Sequence, residues 1–399
     1  MVTTNPSRVA VVGGAGHVGL PLAVMFASHG LDTLVVDIDA NAVSLIDTGV
    51  SPFVEPGMDS VLKHVRESNR LLATTQASHI GEVEYIVIVV GTPVNEYLSP
   101  DPGLVTQTVE QLVPFMKDGQ HLVLRSTVYP GVTRMVEKAI EASGKDVSVS
   151  FCPERIAQGR AMTELCELPQ LIASRSPRGV SAARRLFEVL GNTIIEVTPE
   201  EAELAKLFTN TWRYIKFAAA NQLFMIANDW GVDFERVRHA ITTDYPRAAD
   251  MPGAGFAAGP CLFKDAMQVA AFSNNTFSLG HAAMAVNEGL PAYVVDRMQR
   301  RFDLSQMKVG ILGMAFKADS DDVRSSLAYK LRKLLALRSA RVTCADDNVN
   351  SDASLVSEAH LLAEVDLVVI GAPHPRYTSL TFDQPVIDIW NIHGRGVLL

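Results

Sequence analysis

Short apolar segments alternate with amphipathic ones through the first 200 residues, and this alternation limits the possible folds more than any other feature of the chain. Residues 18–29 are a predicted helix, flanked by predicted strands. The predicted strands are residues 8–12, 33–37, 85–91, 121–127, 147–152, 168–173 and 193–197. Strands separated by helical segments predict βαβ units and a parallel sheet.

The pattern changes after residue 199. Helical periodicity continues over the segments 200–229, 234–242 and 279–300, and a glycine-rich loop at 252–261 interrupts it. Strand-like segments return at 308–313, 341–345, 365–370 and 385–389. We therefore predict an α/β protein with two sheet domains and a helical domain between them, divided at 1–198, 199–300 and 301–399.

Composition excludes several classes of protein. The 399 residues contain 35 Lys and Arg against 44 Asp and Glu, a net charge of −9, which argues against nucleic acid as a partner. Apolar runs are strand-sized, so we predict no membrane segment and no secretory signal. The four cysteines form no C-x-x-C pair, so neither a disulfide framework nor a metal cluster is expected. We predict a reduced, cytoplasmic protein.

A glycine motif follows the first predicted strand. Its sequence is Gly14-Ala-Gly16-His17-Val18-Gly19, and it opens the predicted helix. Such glycines allow a tight turn and let a pyrophosphate approach the helix N-terminus. Asp37 follows 18 residues later, at the end of the next strand, where a carboxylate binds a ribose hydroxyl and repels a 2′-phosphate. We predict Rossmann-like, doubly wound sheet domains and NAD as the cofactor; the alternative is a glycine turn that only packs a helix against a sheet.

Two short motifs end later strands at the same carboxyl edge of the predicted sheet. They are Gly91-Thr92-Pro93 and Ser126-Thr127. Ligands of open α/β sheets bind at this edge, so Thr92 and Thr127 are candidate cofactor contacts, although each motif alone is generic.

A polar stripe lies on the largely apolar helix predicted for 200–229. Lys206 and Asn210 are four residues apart and share one face, which Arg213, Phe217 and Asn221 continue. Polar side chains on such a helix need partners or a wet pocket. A solvated face or hydrogen bonds between domains would explain the stripe equally well.

The glycine-rich loop ends in a cysteine. Gly253 to Gly259 are mostly small residues, and Pro260, Cys261, Lys264 and Asp265 follow. A thiol at a helix start or near a cation has a lowered pKa and a larger thiolate fraction. The alternative is a buried structural cysteine, the role we assign to the remaining three, Cys152, Cys166 and Cys344.

These motifs, in their order and spacing, resemble the UDP-sugar 6-dehydrogenases, a family that includes enzymes for UDP-glucose and UDP-N-acetylmannosamine. Beyond the glycine motif and the Cys261 loop, the resemblance rests on several further segments. They are Glu55-Pro56, Gly91-Thr92-Pro93, Ser126-Thr127, Cys152-Pro-Glu154-Arg155, Glu203-Leu-Ala-Lys206-Leu-Phe-Thr-Asn210, Gly313-Met-Ala-Phe316-Lys317 and Asp322-Val-Arg324-Ser325.

The resemblance implies an NAD-dependent, four-electron oxidation of a sugar C6 alcohol to a carboxylate. It makes Cys261 the nucleophile that forms a thiohemiacetal and then a thioester. Lys206 and Asn210 would stabilise oxyanions, and Asp265 would orient Lys206 or activate water. Thr127 and Glu154 match positions around the nicotinamide and the water.

The resemblance also implies a homodimer and a first domain that binds NAD. The C-terminal domain would bind UDP, with Lys317 and Arg324 near the phosphates or sugar, or with Arg324 in a neighbouring subunit's site. The predicted substrate contacts are Glu154, Arg155, Lys206, Asn210, Arg247, Gly255, Phe316, Lys317 and Arg324.

The motifs point to different sugars as the substrate. Arg155 and the segment Tyr245-Pro246-Arg247 are similar to the N-acetylhexosamine branch, whereas Lys264-Asp265 is similar to the glucose branch. We favour UDP-N-acetylmannosamine, with UDP-glucose and UDP-N-acetylglucosamine as alternatives.

Three residues depart from the family pattern. Gln158 stands where glucose enzymes usually carry a second carboxylate, Gln222 where Glu is common, and Pro260 directly before the cysteine. They leave open an inactive UDP-sugar-binding protein. A two-electron dehydrogenase of the hydroxyacid or 6-phosphogluconate type is a further alternative, but it needs neither the Cys261 loop nor a second sheet domain.

Overall fold

The computed structural model describes residues 8–92, 101–397 and 399. Its contacts divide the chain into two compact units, Met1–Phe208 and Thr209–Leu399, which we call unit 1 and unit 2. The division at residues 198 and 300 stays a prediction.

Unit 1 is built on one eight-stranded sheet. Apolar β-branched residues dominate its central strands, as expected for strands covered on both faces. The strands are β1 (Arg8–Val12), β2 (Asp32–Val36), β3 (Leu71–Thr74), β4 (Tyr85–Ile88), β5 (His121–Leu124), β6 (Ser148–Phe151), β7 (Gln170–Ala173) and β8 (Ile194–Val197). The helices are α1 (Gly19–Ser28), α2 (Ala40–Asp47), α3 (Met58–Glu67), α4 (Gly103–Leu112), α5 (Val132–Ser143), α6 (Ala161–Glu167) and α7 (Pro177–Glu188).

The strand order is β3-β2-β1-β4-β5-β6-β7-β8. Neighbouring strands of this sheet are parallel except β6 and β7, which pair antiparallel through Phe151 and Ala173. The predicted parallel α/β class is confirmed, with this one exception. The order reverses direction between β1 and β4, and such a switch point is where open α/β sheets bind ligands.

Unit 2 contains most of the helical section and a second sheet. The helix α8 (Pro199–Asp229) contains the boundary between the units. The elements that follow are α9 (Phe234–Thr242), α10 (Leu262–Phe272), α11 (Ser278–Arg301), β9 (Lys308–Leu312), α12 (Leu327–Ala336), β10 (Arg341–Ala345), α13 (Glu358–Glu364), β11 (Leu367–Ile370) and β12 (Val386–Ile387). The second sheet has the order β10-β9-β11-β12, and all its pairs are parallel.

The second sheet repeats a feature of the first. Gly13 after β1 has a φ of +74° and donates its N–H to Val36 at 2.8 Å; Gly313 after β9 has a φ of +93° and donates to Ala345, also at 2.8 Å. A carboxylate ends the next strand in both cases, Asp37 after β2 and Asp346 after β10. The two turns have the same construction.

The carboxylate of Asp346 is enclosed by protein donors. It accepts hydrogen bonds from the backbone of Met314 and Ala315 at 2.8 and 2.9 Å, and it contacts His374 and Arg376. Burial alone would raise the pKa of Asp346, but the contact with His374 and the backbone donors together lower it to about 2.

Candidate active site

The glycine motif forms a compact turn at the start of α1. A Cβ on Gly14 would lie 2.4 Å from the Val11 carbonyl oxygen, and one on Gly19 would lie 2.5 Å from that of Gly13. Glycine is therefore required at both positions. A Cβ on Gly16 would meet nothing closer than 3.9 Å, so this side of the turn is open. The turn fits a pyrophosphate approaching the helix N-terminus.

Asp37 connects the turn to the end of β2. Its carboxylate accepts hydrogen bonds from Ala15 N at 2.9 Å and from Asp39 N at 3.1 Å, one on each oxygen. Ile38 beside it is 98% exposed and offers an apolar surface at the same edge. His17 stacks on Phe53 with ring centroids 4.1 Å apart, and Val18 immediately precedes α1. The motif and Asp37 are thus brought together as predicted.

The ends of β4 and β5 approach each other at the same edge. Thr92 donates its hydroxyl to the Thr127 carbonyl at 2.6 Å, and Ser126 donates to Val90 at 2.8 Å. Pro93 lies outside the described residues. The two candidate threonines are therefore neighbours.

Glu154 lies in a buried cluster that the sequence did not predict. Its carboxylate pairs with the fully buried Arg125, and it also accepts hydrogen bonds from Arg155 N at 2.7 Å and Ile156 N at 3.0 Å. Arg125 also donates to the Cys152 carbonyl at 3.0 Å and lies over the Phe187 ring. These contacts fix the loop from 152 to 156.

The guanidinium of Arg155 donates to the Pro169 carbonyl, within unit 1. Burial lowers the pKa of Arg155. Its predicted contact with a sugar would require this hydrogen bond to be shared or exchanged.

The first part of α8 contributes Glu203 and Lys206. Glu203 accepts hydrogen bonds from Gly131 N at 2.7 Å and Thr133 N at 2.9 Å, so it caps α5 and holds the loop that follows Thr127. Lys206 is only 7% exposed, and it has no hydrogen bond or ion pair with the residues that the structure describes. A lysine that is largely enclosed, with no counterion among the described residues, is suited to an anionic ligand or a developing oxyanion.

Asn210 and Asp265 form a buried pair in unit 2. Asn210 Nδ2 donates to Asp265 Oδ2 at 2.6 Å, and Lys264 Nζ donates to Asp265 Oδ1 at 2.5 Å. Asp265 is completely buried. Its two oxygens therefore orient the amide of Asn210 and neutralise Lys264.

Asn221 holds the glycine-rich loop that precedes Cys261. It donates to the Gly255 carbonyl and accepts from Gly255 N, both at 3.0 Å. A Cβ on Gly255 would lie 2.2 Å from the Trp390 ring, so the loop rests on this ring. The sequence placed Asn221 on the polar stripe of α8, but its contact with the loop and the role of Trp390 were not predicted.

Cys261 is exposed and is the residue directly before α10. Partial positive charge at a helix N-terminus stabilises a thiolate. The three remaining cysteines differ. Burial raises the pKa of Cys152 and of Cys344 to about 11 each, and it also raises the pKa of Cys166.

The segment from Phe316 to Ser325 packs against the Cys261 loop. A Cβ on Gly259 would lie 2.5 Å from the Phe316 ring, and Gly259 N donates to the Ser325 carbonyl at 3.4 Å. Arg324 donates to Asp322 from Nη2 at 2.7 Å and from Nε at 3.0 Å. Unit 2 thus brings Gly255, Cys261, Phe316 and Arg324 into one loop assembly, and Lys317 follows Phe316 directly.

Arg247 lies on an exposed segment and donates to the Tyr245 hydroxyl at 3.2 Å, with its guanidinium over the same ring. No contact in the described part of unit 2 connects it to the Cys261 loop.

Three domains of one family match the chain in order. The UDP-glucose/GDP-mannose dehydrogenase family matches through its NAD binding domain over residues 7–191, its central domain over 200–289 and its UDP binding domain over 310–395. The chain belongs to this family. It is an oxidoreductase with NAD as its cofactor and a UDP-sugar as its substrate class. In the described part of the chain, no helix has the length and apolar character to cross a membrane.

Relatives cover nearly the whole chain. A UDP-N-acetyl-D-mannosamine dehydrogenase from Pyrococcus horikoshii is 28% identical over 390 residues, 94% of this chain and 92% of the relative. A solved UDP-N-acetyl-D-mannosamine dehydrogenase structure from that organism has a TM-score of 0.89 at 27% identity and covers 96% of both chains. A UDP-glucose dehydrogenase structure from Pyrobaculum islandicum has a TM-score of 0.87 at 28% identity and covers 97% of this chain and 95% of its own. The fold therefore does not discriminate between these sugars.

Proposed function

We propose that the protein oxidises UDP-N-acetyl-D-mannosamine at C6 to the corresponding uronate. The observation that carries the proposal is the exposed Cys261 thiol at the start of α10, four residues before the buried Asp265 that orients Asn210. Relatives named for this substrate, together with Arg155 and Arg247, favour the N-acetylated sugar over UDP-glucose.

The cofactor would lie at the carboxyl edge of the first sheet. The Gly14, Gly16 and Gly19 turn, with His17 and Val18, would receive the pyrophosphate, and Asp37 the ribose hydroxyls. Thr92 and Thr127 would line the nicotinamide side. NAD, when bound, accepts one hydride in each of two oxidation steps, so one alcohol and one water yield a carboxylate and two NADH.

The residues around Cys261 would handle the sulfur and oxygen chemistry between the two hydride transfers. After the first oxidation gives an aldehyde, the Cys261 thiolate forms a C–S bond and gives a thiohemiacetal. The second oxidation leaves a thioester, which water hydrolyses with release of the thiolate. Lys206 and Asn210 would stabilise the oxyanions, and Asp265 would keep the Asn210 amide aimed at them.

Two carboxylates are candidates for handling the water. Glu154 has its oxygens occupied by Arg125 and by backbone donors, so we assign it to positioning the 152–156 loop and the water near it. Asp265 is the second candidate. Gln158 is neutral where glucose enzymes usually carry a carboxylate. Glu154 and Asp265 are therefore the carboxylates that would position or activate the water that hydrolyses the thioester.

The second sheet domain would bind UDP. Lys317 and Arg324 would meet the phosphates or the sugar, and Gly255 and Phe316 would form the adjacent wall. Residues 1–198, 199–300 and 301–399 would then be the NAD-binding, central and UDP-binding domains.

A homodimer in the cytoplasm completes the proposal. Trp212, Leu223, Ile226 and Trp230 are exposed apolar residues on and directly after α8. Their spacings of eleven, three and four residues place them on one face. A second copy of the chain that covered this face would remove an apolar stripe from water.

The test is a panel of UDP-sugars with NADH counted per substrate. UDP-N-acetylmannosamine should give about two NADH per sugar, the stoichiometry of a four-electron oxidation. UDP-glucose, UDP-N-acetylglucosamine and GDP-mannose serve as comparisons. One NADH per sugar would support a two-electron dehydrogenase. Binding without any NADH would support an inactive UDP-sugar-binding protein, and faster turnover of UDP-glucose would reassign the sugar.

A further inference from the structure

The Cys261 loop and the segment from Phe316 to Ser325 touch each other, and they carry two groups to which the resemblance gives different roles, Cys261 and Arg324. Gly259, two residues before Cys261, donates its N–H to the Ser325 carbonyl, and the Phe316 ring fills the space that a side chain at 259 would need. The thiol and the guanidinium of Arg324 are therefore held on two segments that touch each other.

Arg324 is fixed from the opposite side. Asp322, whose side chain is almost completely buried, accepts hydrogen bonds from Nε and Nη2 of Arg324 and also from its backbone N. These side-chain hydrogen bonds occupy the edge of the guanidinium formed by Nε and Nη2. The side chain remains 60% exposed, so the other edge is accessible at the surface of the loop assembly.

The backbone around Arg324 is constrained as well. Ser325 has a φ of +54°, a conformation that costs a residue with a side chain on the order of 1 kcal/mol. Ser326 caps α12 by accepting from Ala328 N, and its hydroxyl bonds to the Ala315 carbonyl. Strain of this kind persists only where the surroundings hold it in place.

The charges of the two groups interact. The hydrogen bond to Asp322 and the charges of Asp322 and Cys261 together raise the pKa of Arg324. Because opposite charges attract, the guanidinium favours the thiolate form of Cys261. The other charged groups on these elements are Asp321 and Lys317 on the Arg324 segment, and Lys264 and Asp265 on α10.

We propose that Arg324 is a positioning residue for catalysis, whose guanidinium, held by Asp322, stabilises the Cys261 thiolate before substrate binds. The chemistry requires such a group twice. The thiolate must form as a nucleophile for the aldehyde, and it must leave again when water hydrolyses the thioester. A fixed cation lowers the free energy of the thiolate at both points. This role rests on the proposed function of Cys261 and is separate from any contact of Arg324 with substrate phosphates.

The experiment is alkylation of the substrate-free protein by iodoacetamide, a neutral probe that forms a C–S bond with the thiolate and releases iodide. Cys261→Ser gives the background alkylation of Cys152, Cys166 and Cys344. In Arg324→Gln the rate at pH 7 should fall about three- to tenfold, since one nearby charge shifts a surface thiol pKa by about half a unit to one unit. The midpoint of the rate against pH should rise accordingly.

Arg341→Gln is the matched control. Arg341 is 61% exposed and pairs with the carboxylate of Glu364, but it lies at the start of β10. Its loss should leave the alkylation rate within about twofold of wild type, because a screened charge away from the thiol contributes little.

Arg324→Lys keeps the positive charge, so it distinguishes loss of the charge from a folding defect caused by replacing Arg324. Its alkylation rate should stay within about threefold of wild type. An unchanged alkylation rate in Arg324→Gln would overturn the proposal. So would a fall in the rate of Arg341→Gln or of Arg324→Lys as large as the fall in Arg324→Gln. Because no sugar or NAD is present, this result is independent of the UDP-sugar panel.

Discussion

Replacing Gly255 with alanine tests whether the loop that carries Cys261 is positioned by packing. The new Cβ would lie 2.2 Å from Cζ3 and 2.3 Å from Cε3 of Trp390. An ordinary carbon–carbon contact needs about 3.5 Å, so the loop or the ring must move by roughly 1.3 Å. Neither can move freely, because Asn221 holds Gly255 through two hydrogen bonds and Trp390 Nε1 donates to the Ile370 carbonyl at 3.2 Å.

The expected cost follows from these contacts. Overpacking costs about 1–3 kcal/mol, and weakening one of the hydrogen bonds adds about 1 kcal/mol, so unit 2 should lose roughly 2–4 kcal/mol of stability. A displacement of about 1 Å at a reacting group lowers the rate about 100-fold. Urea unfolding followed by tryptophan fluorescence measures the first effect, and NADH formation under saturating UDP-sugar measures the second.

Gly289→Ala is the matched control for this substitution. Gly289 lies inside α11, and its Cβ would meet nothing within 4 Å. Alanine there should be neutral or stabilising by up to about 1 kcal/mol. Trp390→Leu should relieve the clash, so the double variant should lose less stability than the two single variants together. If Gly255→Ala unfolds and turns over like wild type, or if Trp390→Leu gives no relief, packing against Trp390 does not position the loop.

Four further outcomes follow from the described contacts. Cys261→Ser should abolish turnover while UDP-sugar binding, measured by calorimetry, stays within about threefold of wild type; full activity would exclude the covalent role. Glu154→Gln should destabilise the protein by about 3–5 kcal/mol in urea unfolding because it leaves Arg125 charged and buried, and adding Arg125→Met should recover much of that loss. Burial, with the charges of nearby arginines, lowers the pKa of His121 from 6.5 to about 4; the unfolded chain therefore binds the proton first, and stability should fall by about 3 kcal/mol as the pH drops from 6.5 to 4, a slope that His121→Asn should remove. Ile226→Glu should convert a dimer to a monomer in light scattering at unchanged secondary structure, and a wild-type monomer would contradict the assignment of the exposed α8 face.

Much of the fold was predictable because hydrophobic periodicity is a local signal. The predicted strands and the long helix from 200 to 229 agree with β1, β2 and α8 to within a few residues. Neither β3, a four-residue edge strand without a clear alternation, nor α10 was predicted from the sequence. The glycines and Pro260 before α10 indicate a loop, so the sequence pattern does not reveal a helix that begins directly after Cys261.

The antiparallel pairing of β6 and β7 could not be predicted either. The connection between these strands contains α6, as a parallel crossover would. The relative direction of β6 and β7 is then decided by tertiary packing, which cannot be read from a single sequence.

Candidate site residues could be selected from the sequence where they belong to one short motif, but not where they depend on contacts between distant segments. The glycine turn, Asp37, Cys261, Asn210 and Asp265 could be selected from spacing and from the resemblance. Arg125 could not be selected, because an arginine at a strand end is expected to be exposed to solvent. Its burial depends on Glu154, which lies 29 residues further along the chain. The same holds for Trp390, which reaches the glycine-rich loop from the other end of unit 2.

The turns after β1 and β9 have the same backbone construction, but the carboxylates beside them have different surroundings. Each carboxylate oxygen of Asp37 accepts one hydrogen bond, and Asp37 lies at the carboxyl edge of the first sheet next to the exposed Ile38. Asp346 has the equivalent position, but backbone amides, His374 and Arg376 already saturate its lone pairs. We therefore expect a ribose hydroxyl to be bound by Asp37 and not by Asp346, because Asp346 would have to give up hydrogen bonds to the protein first.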